Sequence, residues 1–124
     1  MAFTIDNNGN ITMIQGDSGT LSVSGIPTDK NYTVYFAIQD ENRNSIGTEL
    51  YVNTNRNSTV MFIITGVLTD LLKVKKGEET ATYYYGIKLC DTEDNTEDTL
   101  LLGNSSIGDR TSITVYPKKV EGIE

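Results

Sequence analysis

Along most of this chain apolar residues recur at every second position, the period of a strand that buries one face. The pattern is clearest from Tyr32 to Gln39, where Tyr32, Val34, Phe36 and Ile38 fall on one side and Thr33, Tyr35, Ala37 and Gln39 on the other. It returns from Thr82 to Cys90, with Tyr83, Tyr85, Ile87 and Leu89 in one row and Tyr84, Lys88 and Cys90 in the opposite one. Three consecutive tyrosines bring large, stiff rings to one place, so this second stretch is predicted as the central strand around which the rest packs. Phe36, Phe62 and Tyr85 are expected to meet between two sheets.

The remaining segments fit the same period or break it in informative ways. Phe3 to Ile5 and Ile11 to Ile14 flank Asp6-Asn7-Asn8-Gly9-Asn10. Asn and Gly both tolerate positive φ, so the pair is predicted as a hairpin. Thr20 to Ser24 alternates with Leu21 and Val23 inward, and Gly47 to Val52 gives a shorter strand carrying Leu50 and Val52. Thr59 to Thr65 is apolar on both faces, which predicts either a strand covered by protein on each side or a surface that a partner covers. From Gly66 to Val74 the period changes. Leu68, Leu71 and Leu72 sit at i, i+3 and i+4, so one helical turn is expected to lay them over an end of the core, with a C-terminal cap at Gly77. Asp91 to Asp98 reads as an acidic hairpin loop, Thr99 to Gly103 as the strand pairing back, Asn104 to Arg110 as a turn, and Thr111 to Tyr116 as the last strand, stopped by Pro117. Short strands at this spacing predict an all-β, antiparallel Greek-key sandwich of about seven to eight strands over residues 1–117, followed by a short tail at 118–124.

Composition narrows the function. The chain has 124 residues, enough for one domain with one core. It has no His, which removes the commonest general base and the commonest transition-metal ligand. The single Cys90 has no partner for an internal disulfide and reads as a packed thiol. A net charge of −7 opposes binding to nucleic acid or to an anionic membrane, and the lysines that come near one another (Lys73, Lys75, Lys76, Lys118, Lys119) read as solvated surface. No stretch is long enough to span a bilayer, and the first residues lack the basic region and apolar core of a secretory signal. The expectation is a product made in the cytoplasm, in which the sequons at Asn10, Asn31, Asn57 and Asn104 reflect turn-rich composition.

The acidic segment is the one concentration of possible ligands. Its five carboxylates lack the Gly and the closing Glu of a calcium-binding loop, and they share a hairpin tip rather than facing each other across a groove. No metal and no cofactor is expected. With no phosphate-binding loop, Cys cluster or nucleophile elbow in the sequence, neither is an enzyme.

The order of segments carries a resemblance. Ile11-Thr12-Met13-Ile14-Gln15-Gly16-Asp17-Ser18-Gly19, Tyr32-Thr33-Val34-Tyr35-Phe36-Ala37-Ile38, Tyr83-Tyr84-Tyr85-Gly86-Ile87-Lys88-Leu89-Cys90-Asp91, Thr99-Leu100-Leu101-Leu102-Gly103 and Ile113-Thr114-Val115-Tyr116-Pro117 together resemble the N-terminal domain of tailed-phage baseplate upper proteins and related tail-fibre and head-fibre proteins. The resemblance implies an immunoglobulin-like virion structural protein, without a catalytic site, that attaches to other baseplate, tail or capsid proteins, with self-association as a further option. Members of that family are usually followed by a helical stalk and receptor-binding parts, whereas seven residues follow Pro117 here. That points to an attachment or capsid-decoration domain, located in the virion. The contact residues expected are Tyr35, Met61 and Tyr84, because outward tyrosines and a doubly apolar strand give contact area at little entropic cost. The alternative is a carbohydrate-binding or cell-surface adhesion module using Tyr35, Tyr51, Tyr84 and Tyr116.

Overall fold

The structure, a computed structural model, describes residues 3–91, 93–100 and 110–118. The expected end of the returning strand at Leu101 to Gly103, most of the Asn104 to Arg110 turn, and the tail beyond Lys118 lie outside the described residues. The described chain forms nine strands and one helical turn: β1 (Thr4–Ile5), β2 (Ile11–Ile14), β3 (Gly19–Val23), β4 (Thr33–Gln39), β5 (Ser45–Asn53), β6 (Val60–Ile64), α1 (Gly66–Thr69), β7 (Ala81–Asp91), β8 (Thr96–Leu100) and β9 (Ser112–Tyr116).

These strands make an immunoglobulin-like sandwich. The larger sheet runs β1-β2-β9-β7-β4-β5, and β3 pairs with β6 in the smaller one. The predicted central strand is indeed central. β4 lies along one edge of β7, while its other edge is shared: Ala81 to Tyr84 pair with β9 and Ile87 to Asp91 with β8. All pairings are antiparallel except β2 with β9, which is parallel. The expected purely antiparallel arrangement therefore needs correcting at one ladder. After β2 the chain turns at Gly16 and crosses to the smaller sheet, which leaves β2 beside the last strand and running the same way.

Alternation places the core as predicted. Val34, Phe36 and Ile38 from β4, Tyr85, Ile87 and Leu89 from β7, and Val60, Phe62 and Ile64 from β6 are buried. Phe36 touches both partner rings, with centroids 5.7 Å from Phe62 and 5.3 Å from Tyr85. Burying a side chain of this size contributes about 1.5–3 kcal/mol. Tyr85 keeps its hydroxyl satisfied by donating to the Gly9 carbonyl, and burial pushes its pKa up to about 12.

Two turns use one device. Asp6 accepts the N–H groups of Asn8 and Asn10, and Asp40 accepts those of Asn42 and Asn44. These bonds to the charged carboxylates hold both pKa values below the ordinary range. Each turn then needs a left-handed residue just before its closing Asn, a place taken by Gly9 in one and Arg43 in the other.

The helical lid is real but starts two residues earlier than the leucine spacing suggests. Thr65 caps it by accepting the Leu68 N–H; Leu68 and Leu72 are buried, and Leu71 is exposed. Gly77 ends a separate turn, with positive φ, rather than the helix. What holds the lid is contact with the β2–β3 turn. Gln15 Nε2 donates to the Asp70 carbonyl, Thr69 Oγ1 to the Asp17 carbonyl, and a Cβ on Gly66 would lie 2.5 Å from the Gly16 carbonyl oxygen. Lys118 Nζ closes this end of the sandwich on Asp70 at 2.6 Å.

Candidate functional site

Because alternate residues face outward, the register of the larger sheet fixes what its solvent side presents. Across β5, β4, β7 and β8 one outward row reads Tyr51, Tyr35, Lys88, Thr99, and a row further along reads Gln39, Tyr84. Between them lie Ala37 and Gly86, paired with each other and almost without side chain. The result is an open trough of about 510 Å³ with a floor of small residues, walled by Tyr35 and Lys88 on one side and reached by Gln39, Glu49 and Thr99. Tyr35 is held by Tyr51, whose ring centroid is 6.1 Å away at a 40° tilt. Tyr84 lies under the Arg110 guanidinium, 3.7 Å above its ring, so part of that ring is already covered within the domain.

The outward face of the smaller sheet differs in chemistry. Met61 is 55% exposed and Ile63 is 68% exposed, on a strand whose alternate residues are fully packed. Of the two arrangements expected for this strand, cover by the domain on both faces is not what forms: the domain covers one face and leaves the other in solvent. Ile63 also borders a groove of about 240 Å³ with Tyr51, along the side where β5 and β6 run close without forming a ladder.

The expected contact residues are thus split. Tyr35 and Tyr84 point out of the larger sheet and Met61 out of the smaller one, with the Phe36–Phe62 contact between them. No single flat partner can touch all three. Of the other tyrosines, Tyr51 joins Tyr35, while Tyr116 is exposed on β9, away from the trough. Sequence reasoning passed over Gly86 and included Ile63 only as part of the doubly apolar strand Thr59 to Thr65. Both were detectable: a glycine inside a strand of bulky residues marks a bend or a close approach, and Ile63 shares its outward side with Met61.

The acidic segment is more ordered than a solubilising loop. β7 continues to Asp91 and β8 begins at Thr96, so Glu97 and Asp98 are strand residues and the turn between is short. Lys30 bridges the hairpin to the β3–β4 loop, 3.0 Å from Asp91 and 2.6 Å from Asp94. The Lys30 ammonium keeps the Asp91 carboxyl below its ordinary pKa, and the two carboxylates raise that of Lys30. Burial pushes the Cys90 thiol up, away from thiolate chemistry. Among the described residues, no group of three or more Cys, Asp or Glu could hold a metal ion, and no helix is long and apolar enough to cross a membrane.

No family model matches the chain, and no curated protein matches its sequence.

Proposed function

We propose that this chain is a non-enzymatic virion structural protein, an immunoglobulin-like attachment or decoration domain on the tail baseplate or fibre, or on the capsid surface. The observation that carries the reading is the outward face of β3–β6. On β6, Met61 and Ile63 stand in solvent beside the polar Thr20 and Ser22 of β3 while Val60, Phe62 and Ile64 fill the core, an apolar strip with no use inside the domain. The resemblance in segment order supplies the class of partner, other virion proteins. A domain of net charge −7 with scattered lysines has little electrostatic grip, so apolar contact is the mode of association that suits it, and binding should survive moderate salt.

A second reading, as a carbohydrate-binding or cell-surface adhesion module, draws on the Tyr35–Tyr51 pair beside the trough. The two readings use opposite faces and are compatible. Mass spectrometry of purified virions tests the first: the protein is expected among their components, and its absence would end the proposal. Met61→Glu, folded by circular dichroism, is expected to be depleted from the particles.

A further inference from the structure

Gly86 occupies a position where neither a left-handed backbone nor crowding requires glycine. Its φ is not in the left-handed region, and a Cβ built on it meets no atom of the described residues within 4 Å. It sits in the middle of the longest strand, where a glycine costs roughly 0.5–1 kcal/mol relative to Ala. In a strand interior such a glycine marks a bulge, a tight bend, or a place where something approaches the backbone closely. The β4–β7 register runs without a shift from Cys90 to Tyr84, so it is not a bulge. What the missing side chain creates is the floor of the trough, together with Ala37.

We propose that this trough is a binding site for a neutral saccharide. The ring of Tyr35, steadied from behind by Tyr51, gives a wall for the C–H face of a pyranose. Gln39, Glu49 and Thr99 line the trough and make no side-chain hydrogen bond with any described residue, and Lys88 is held only loosely, 3.9 Å from Glu97. These are donors and acceptors of both kinds, uncommitted and converging on one hollow. Two carboxylates, Glu49 and Glu97, disfavour an anionic ligand, while Lys88 disfavours a strongly cationic one. A polyhydroxyl ligand without charge satisfies all of them. The volume of about 510 Å³ lies within the roughly 300–1,000 Å³ of small-molecule sites. The polar lining fits a sugar better than a protein segment, for which Met61 and Ile63 on the smaller sheet offer apolar contact. The inference rests on the carbohydrate-binding reading of this trough, which it deepens, and does not depend on the assembly reading.

The test uses the full chain, labelled with nitrogen-15 and titrated with glucose, galactose, rhamnose and N-acetylglucosamine as monomers and short oligomers. Saturable shifts are expected at the amides of Ala37, Gly86 and Lys88 for at least one of these sugars. Gly86→Val, which fills the floor, should weaken that binding about tenfold or more without lowering the melting temperature. Tyr35→Ala should weaken it by removing the wall. The proposal is overturned if no sugar in the panel moves these amides, if Gly86→Val binds as well as the wild type, or if Gly86→Val lowers the melting temperature and so shows the glycine to be structural. Loss of Gly86→Val from virions without any sugar response would make the occupant a protein and equally overturn the saccharide assignment.

Discussion

The two solvent-facing sides of this sandwich are built by the same alternation and use it in opposite ways. On the smaller sheet, outward positions that the pattern reserves for polar residues carry Met61 and Ile63; on the larger, an outward position flanked by bulky neighbours carries Gly86. One face adds apolar area where none is needed for folding, and the other removes volume where the strand would prefer it. The comparison teaches that alternation identifies the inward side of a strand, whereas departures from alternation identify what the outward side is for. Both departures are affordable only because the core between them is complete.

The largest effect should follow from breaking that core. Phe36 is 1% exposed and contacts both Phe62 and Tyr85. Phe36→Ala is expected to cost about 3–5 kcal/mol, a large part of a total stability of order 5–15 kcal/mol, and so to weaken the support of both faces together, read as a lower melting temperature. An unchanged melting temperature would show that the two faces do not rest on a shared core.

A smaller loss separates the ends of the sandwich from its faces. In Gly66→Ala the new Cβ would meet the Gly16 carbonyl at 2.5 Å, backbone against backbone, so neither side can yield cheaply. The expected cost is about 1–3 kcal/mol, read as a lower urea midpoint with an unchanged slope. Neither Met61 nor Gly86 lies at this end, so sugar binding by the folded protein should be unaffected. A change there would mean that the lid communicates with the trough.

The pH profile acts on the frame that holds both faces. Asp6, Asp40 and Asp91 have depressed pKa values, the first two through backbone N–H bonds and the third through Lys30. Their stabilisation is complete above the ordinary carboxylate value of about 4 and is lost as pH falls through the lower folded values. Tyr85 has the opposite sign. With its folded pKa raised by burial to about 12, its contribution is complete below the ordinary phenol value of about 10 and fades as pH rises toward 12. With no His in the chain, the melting temperature should form a plateau from about pH 5 to pH 9. A step within that plateau, seen by calorimetry, would contradict this assignment of the titrating groups.

Much of the frame was legible in the sequence because burial and period coincide there: Val34, Phe36, Ile38, Tyr85, Ile87 and Leu89 all fall inward as the alternation predicts. β8 was placed too late because Thr96 to Thr99 is exposed throughout and has no apolar face to announce a strand; only its register with β7 reveals it. The parallel pairing of β2 depends on where Ile113 to Tyr116 returns, a long-range fact that no local pattern encodes. The candidate site was half legible. Tyr35, Tyr84 and Met61 are outward as expected, but their separation onto two faces follows from sheet membership, which alternation does not give. Gly86 stands out in the sequence as a glycine among bulky strand residues, but the hollow it opens exists only once β4, β7 and β8 are in register.

The smallest expected effect is the sharpest test of the comparison, because it is an effect of nearly zero. Met61→Glu changes an exposed side chain and should alter stability by about 0.5 kcal/mol or less. Gly86→Val places a β-branched residue in a central strand with open space above it and should stabilise by roughly 0.5–1 kcal/mol. The two positions point out of opposite sheets, which pack about 10 Å apart, so the double variant should equal the sum of the singles within about 0.3–0.5 kcal/mol. Urea midpoints for the four proteins measure this directly. A coupling of 1 kcal/mol or more, on the scale of about 0.5–3 kcal/mol seen for residues in contact, would mean that the faces are not independent surfaces and that one partner's binding would be felt at the other.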